Sequence, residues 1–167
     1  MDLQLNGTAV IVTGASRGLG AAITRSLVAE GARVVAAARS VDALEQLAAE
    51  HPDQVHPIPC DMRDRDAVAA LVPATLAHFG RLDGVVNNAG IAPAGRLVDT
   101  DLAVMEETLA VNLLAPAALC QSAARHLIAA KRPGSIVNVA STSGLKGKAD
   151  RKSVVLGKGG GGGGGGG

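Results

Sequence analysis

The chain of 167 residues has no tyrosine, no tryptophan and a single phenylalanine, Phe79. Proteins that stack bases need aromatic faces, so no platform for single-stranded nucleic acid exists here. Sixteen basic and fifteen acidic residues leave a net charge of +1. No global field therefore attracts nucleic acid or an acidic partner. Cysteine is scarce: Cys60 and Cys120 have neither metal-ligand spacing nor the numbers for a disulfide framework. Both are expected to be small buried residues in a reducing compartment. His51, His56, His78 and His126 never fall at ligand spacing, so solvated or helix-cap positions are expected for each and no metal site is expected. The N-terminus lacks a basic segment followed by a long apolar one. The apolar stretch 111–119 is short and interrupted for a membrane span. A cytoplasmic protein with no membrane partner is the resulting expectation.

What is present is an alternation. Hydrophobic residues make up 47% of the chain and charged residues 19%, a globular balance of a length for one domain or most of one. Residues 8–13 (TAVIVT) are nearly all apolar, as a strand buried on both faces must be. A Gly-rich turn follows. Leu19, Ile23 and Leu27 then recur every four residues, which predicts a helix over 18–30 closed by Gly31. Further strands are expected at 33–38, 55–60, 82–87 and 135–140. Further helices are expected at 41–50, at 64–79 with a kink at Pro73, and at 101–131 with a bend at Pro116. Strand and helix in repeated alternation imply an α/β fold, a parallel sheet with helices on both faces. Near Lys148 the composition changes abruptly. Residues 1–148 read as the domain, and 149–167 as a tail of basic residues, SVVL and nine consecutive glycines.

The turn TGASRGLG joins the first strand to the first helix. Gly14 permits a tight turn, Gly18 lets backbone N–H groups approach a pyrophosphate, and Gly20 permits close helix packing. The helix N-terminus then offers unpaired N–H groups and the positive end of its dipole to phosphate. Gly14, Ser16, Arg17, Gly18, Leu19 and Gly20 together form the candidate phosphate cradle of a Rossmann-type, doubly wound sheet. In versions that bind NAD an acid at the end of the second strand holds the ribose hydroxyls. Here that strand ends AAARS, without an acid. Arg39, assisted by Arg17, would match the 2′-phosphate of NADP(H) with its forked donors. A solvated loop is the other reading of Arg39, and NADP(H) is favoured over NAD(H).

The GxxxGxG spacing resembles the short-chain dehydrogenase/reductase family. Three later stretches match the same family in order: NNAG at 87–90, Asn112 within VNLLAP, and GSIVNVAS at 134–141. The resemblance runs from residue 3 to about 147 and includes about five of the family's strands. It implies that Asn87, Asn88 and Gly90 stabilise the sheet and close over the cofactor, that Ala89 belongs with Asn88 and Gly90 to the cofactor-binding residues, and that Asp61 and Met62 flank the adenine. An exposed turn is the alternative for Asp61. It implies hydride transfer between nicotinamide and the carbonyl or alcohol carbon of a small-molecule substrate. Ser141 would hold the substrate oxygen and Asn112 would complete a proton relay through water. A homodimer or homotetramer through 101–131 is implied as well.

The family pattern stops after Ser141. Its Tyr-x-x-x-Lys is absent, since the sequence holds no tyrosine; Val154 and Lys158 repeat the spacing by coincidence. A valine cannot donate a proton. The chain as written is therefore expected to be inactive, and to leave its fifth strand as an exposed sheet edge with a risk of aggregation. A non-catalytic dinucleotide-binding or redox-sensing module is the alternative, as is an interaction protein on the same fold. Retention of Asn112 and Ser141 speaks against the former, and the intact TGASRGLG against the latter. Residues 150–158 back-translate to a string one base away from a common sequencing adapter, with Leu156 in place of a stop codon. A run of G calls would be read as glycines. The tail is thus expected to be adapter read-through rather than protein. Sequencing across the 3′ end of the gene should show the frame continuing past Gly147 into a Tyr-x-x-x-Lys. Genomic DNA encoding the same tail would overturn that expectation.

Overall fold

A computed structural model describes residues 3–141 of the chain. The tail at 149–167, with Val154 and Lys158, lies outside the described residues. Five strands form one sheet: β1 (Ala9–Thr13), β2 (Arg33–Ala38), β3 (Val55–Pro59), β4 (Gly84–Asn87) and β5 (Ser135–Asn138). Their order across the sheet is β3-β2-β1-β4-β5, and every pairing is parallel. The helices are α1 (Gly18–Ala29), α2 (Val41–Glu50), α3 (Arg65–Phe79), α4 (Leu102–Leu109) and α5 (Ala115–Ala129). The expected Rossmann-type sheet is the observed one.

Alternation along the central strands divides the core in two. Ile11, Val35, Ala37 and Val85 pack with Val68, Leu71 and Leu119 on the side of α3 and α5. Val10, Val12, Val34 and Ala36 pack with Val28, Leu44 and Leu47 on the side of α1 and α2. Period-two geometry sends neighbouring side chains to opposite faces, so a strand covered on both sides must be apolar throughout. All five residues of β1 are buried. Pro57 and Pro59 are tolerated in β3 because it is an edge strand. β5 forms the other edge of the described sheet, and its four residues are exposed.

Several local expectations shift. In α1 the buried positions are Gly20, Ala21, Thr24 and Val28, while Leu19 is 57% exposed. The apolar stripe is therefore rotated by one position from Leu19, because α1 lies against the sheet through its small residues. Gly31 does close the helix, with φ of +83°. α3 runs through Pro73 as one helix; Pro73 is exposed, and so is Ala69, whose carbonyl Pro73 cannot serve. Asp64 caps that helix by accepting from the N–H groups of Asp66 and Ala67. The bend expected at Pro116 lies upstream, as a π turn over Ala110–Leu114 in which the Ala115 N–H donates to the Ala110 carbonyl. Pro116 provides no N–H to the Asn112 carbonyl, and widening the preceding turn accommodates that loss. Cys60 is buried as expected, but Cys120 is half-buried. His51 does cap α2, whereas His56 is a half-buried strand residue stacked on His78 at 3.8 Å.

α4, the π turn and α5 together make a helical stretch, Leu102–Ala129, of 28 residues with a mean hydropathy of 1.4 in its most apolar window. By length and composition it could cross a membrane, unlike the short run 111–119. Its stripe Val111, Ala115, Leu119, Ala123 and Leu127 is nevertheless core, spaced by four. Leu102, Leu109, Leu113, Leu114 and Ile128 are exposed. An ordinary surface helix has one apolar stripe; this one has apolar residues on a second face.

Asp83 ties the lower end of the sheet together. Its carboxylate accepts from the Ala9 N–H at 2.8 Å, from Arg81 at 2.6 and 2.7 Å, and from Arg132 at 3.2 Å. Its backbone bonds Ala9 and Ser135. Burial acts to raise the Asp83 pKa, but the Arg81 and Ala9 hydrogen bonds and the charges of Arg81 and Arg132 together hold it below the usual value. The stability this provides is present above the unfolded carboxylate pKa, about 4, and is lost as pH falls through the folded value. Asp83→Ala strands the Ala9 N–H and should cost about 1–3 kcal/mol at neutral pH. Urea unfolding at pH 7 and pH 3 checks this: the difference between wild type and variant should shrink at the lower pH.

Candidate functional site

A cleft of about 960 Å³ lies at the carboxyl ends of β1, β2, β3 and β4. It opens where the strand order reverses, with β1 between β2 and β4. In doubly wound sheets this switch point leaves a crevice, because the connections depart to opposite faces.

Two turns form its floor. Gly14 has φ of +67° and Gly18 φ of +54°, conformations that L side chains rarely adopt. Asn88 crosses from the turn after β4, its amide donating to the Thr13 carbonyl at 3.0 Å and the Gly14 carbonyl at 3.3 Å. The Thr13 hydroxyl accepts from the N–H groups of Asn88 and Ala89, both at 3.0 Å. A Cβ at Gly20 would lie 2.1 Å from the Gly14 carbonyl oxygen and 2.6 Å from the Asn88 amide nitrogen. Gly20 therefore lets α1 close onto this junction of turns. A Cβ at Gly18 would meet nothing within 4 Å.

The twelve candidate cofactor residues surround this one cleft. Gly14, Ser16, Arg17, Gly18, Leu19 and Gly20 contribute from the first turn. Arg39 contributes from the end of β2, Asp61 and Met62 from the end of β3, and Asn88, Ala89 and Gly90 from the end of β4. Asn112 and Ser141 do not line it. Asn112 instead grips the backbone of Ile91, a residue of the cleft wall: its Oδ1 accepts from the Ile91 N–H at 2.8 Å and its Nδ2 donates to the carbonyl at 2.7 Å. Ser141 is half-buried and follows β5. That strand is held beside β4 by Asn87, which donates to Asn138 at 2.9 Å.

The helix ends differ around the cleft. α3 and α4 are capped by the carboxylates of Asp64 and Asp101. α1 and α2, whose first turns border the cleft through Arg17 and Ser40, have no side-chain cap. α1 has no acid in its first turn. A helix start such as that of α1, with neither a side-chain cap nor a carboxylate in its first turn, suits an anion. Arg17 and Arg39 make no ion pair among the described residues. Burial, with Asp64 and Asp61 nearby, pushes the Cys60 thiol in the cleft wall up to about 11, so it stays protonated and unreactive.

Sequence reasoning passed over Thr13, Ser40, Cys60, Glu107 and Val111. Thr13 lay inside the quoted motif, and the rule that ligands sit at strand carboxyl ends points to Ser40 and Cys60. Glu107 and Val111 come from a helix far along the chain, and no local pattern marks them.

A family model described as short chain dehydrogenase matches residues 8–154. D-threitol dehydrogenase of Mycolicibacterium smegmatis is 36% identical over 143 residues, covering 84% of this chain and 55% of that protein. L-fucose dehydrogenase of Mus musculus is 39% identical over 157 residues, covering 93% and 56%. The chain thus spans about half the length of the curated relatives it matches. A solved metagenomic short-chain oxidoreductase in complex with NADP superposes with a TM-score of 0.82 at 42% identity, covering 89% of this chain and 68% of that one.

The junction makes a contrast between two glycines. Gly20→Ala forces a Cβ into backbone and should destabilise by about 1–3 kcal/mol or more. Gly18→Ala meets no atom and bears only the left-handed strain, about 1–2 kcal/mol. Urea unfolding of both variants checks the order, and a Gly18→Ala loss larger than that of Gly20→Ala would contradict the junction.

Proposed function

The chain belongs to the short-chain dehydrogenase family, and on that premise we propose that it is the coenzyme-binding part of an NADP(H)-dependent oxidoreductase acting on a small carbonyl or alcohol compound. The observation that carries the coenzyme preference is the pair Arg17 and Arg39. Both residues border the cleft without an ion pair among the described residues, and β2 ends without an acid.

The cleft fits such a coenzyme on its own geometry. The Gly18 backbone faces space that no side chain fills, the first turns of α1 and α2 are uncapped, and the floor is fixed by Asn88. When bound, the nicotinamide would supply or accept the hydride. The N–H groups at the start of α1 would hold the pyrophosphate. Arg39 and Arg17 would hold the 2′-phosphate, and Asp61 with Met62 would flank the adenine. Asn88, Ala89 and Gly90 would shape the wall beneath the coenzyme.

Ser141 would hold the substrate oxygen, and Asn112 would complete a proton relay while anchoring Ile91. The family's proton donor is a tyrosine, and this sequence contains none. The chain as written should therefore bind coenzyme without turning over substrate. The second reading is a non-catalytic dinucleotide-binding or redox-sensing module, against which the presence of both Asn112 and Ser141 speaks. The exposed apolar residues of Leu102–Ala129 support a homodimer or homotetramer through that helix. A cytoplasmic location belongs to this reading, since the coenzyme and small carbonyl compounds occur there.

Fluorescence titration with NADPH and NADH tests the proposal. Wild type should prefer NADPH. Arg39→Ala should weaken NADPH about tenfold or more, as loss of a charge-assisted hydrogen bond does, and leave NADH nearly unchanged. Folded protein that binds neither coenzyme would overturn the reading.

A further inference from the structure

Arg63 was marked by no motif, yet it organises the acid side of the cleft. Asp61 Oδ1 accepts from the Arg63 backbone N–H at 2.9 Å and from its Nε at 3.0 Å. Asp61 Oδ2 accepts from Nε at 3.0 Å and from Nη2. The remaining terminal nitrogen, Nη1, donates to Glu107 of α4 at 3.2 Å. Asp61, Glu107 and Arg39 all line the same cleft. Both carboxylate residues that line the cleft are therefore engaged by one guanidinium, and Arg39 makes no ion pair among the described residues.

The alternative pairing is chemically ordinary. Arg63 hydrogen bonds are the main reason the Asp61 pKa lies below the usual carboxylate value, and the Arg39 charge also contributes. Arg39 is thus within electrostatic reach of Asp61. Without Arg63, Asp61 would be left with the charge of Arg39 across the same cleft, and a long guanidinium stem can swing to meet a carboxylate. An arginine so paired must break that pair before it can take a phosphate.

We propose that Arg63 is a specificity-determining residue that holds Asp61 away from Arg39, keeping Arg39 available to the 2′-phosphate of the coenzyme. The inference rests on the coenzyme reading above. It makes Arg63 a positioning residue, acting through Asp61, and not itself a ligand of the phosphate. The exposed ion pairs contribute little to folding, so substitutions here test binding rather than stability.

The experiment is a cycle in the full chain with NADPH and NADH titrations of wild type, Arg63→Ala, Asp61→Asn and the double variant. Circular dichroism confirms that each is folded. Arg63→Ala should lower the NADPH-over-NADH preference about fivefold to tenfold. With Asp61→Asn already in place, the same change should alter that preference less than twofold, because no carboxylate remains at position 61 to capture Arg39. Arg63→Lys keeps the charge but loses the fork, and should fall between wild type and Arg63→Ala. Equal weakening of both coenzymes would reduce Arg63 to a structural role and overturn the proposal. A preference shift that persists in the Asp61→Asn background would show Arg63 acting directly by its charge, and would also overturn it. Wild type that is folded and binds neither coenzyme would instead refute the coenzyme reading, and the proposal with it.

Discussion

Everything at the cleft depends on the close approach of two turns. The backbone after β1 and the backbone after β4 are linked by Asn88 and Thr13, and Gly20 leaves room for both. The constraint is steric before it is electrostatic. A single methyl group at Gly20 would fall inside van der Waals contact with a carbonyl that cannot withdraw, because that carbonyl is itself hydrogen-bonded to Asn88. Once the turns are fixed, the first turn of α1 borders the cleft and carries no side-chain cap. The proposed anion site is a consequence of packing two chain reversals together.

Charge is then distributed around this rim unequally. The acids that line it, Asp61 and Glu107, are engaged by Arg63, while Asp64 and Asp101 are taken up by the N–H groups that start α3 and α4. Arg17 and Arg39 are left without ion pairs among the described residues. A cleft with engaged acids and available arginines is the basis of the proposed preference for a coenzyme bearing a 2′-phosphate. At the other end of the sheet, Asp83 shows the opposite use of the same groups, where carboxylate and arginines satisfy one another and fasten strands.

The fold was largely legible in the sequence because burial on two faces demands unbroken apolar strands, and helices between them demand a parallel sheet. Element ends moved by a residue or two where hydrogen bonding, not hydrophobicity, decides the boundary. Pro116 shows the limit of local reasoning. A proline in a helical pattern signals an irregularity, but whether the chain bends, stops or widens into a π turn depends on what packs against it. Leu19 shows the same limit: its spacing fits a core stripe, yet it faces the cleft, because the helix is seated on its small residues.

The sequence by itself determined the α/β alternation, the glycine turn and the candidate residues around it, since these depend on backbone conformation and local periodicity. It also determined the lack of a tyrosine, which no folding can change. Only the tertiary structure decided that Asn112 uses its side chain on Ile91, that Glu107 from a distant helix reaches Arg63, and which arginines are left without an acid among the described residues. Ion pairs between residues far apart in the chain follow from the distances folding creates. A sequence states which charges exist, and the packing of strands and helices settles which of them meet.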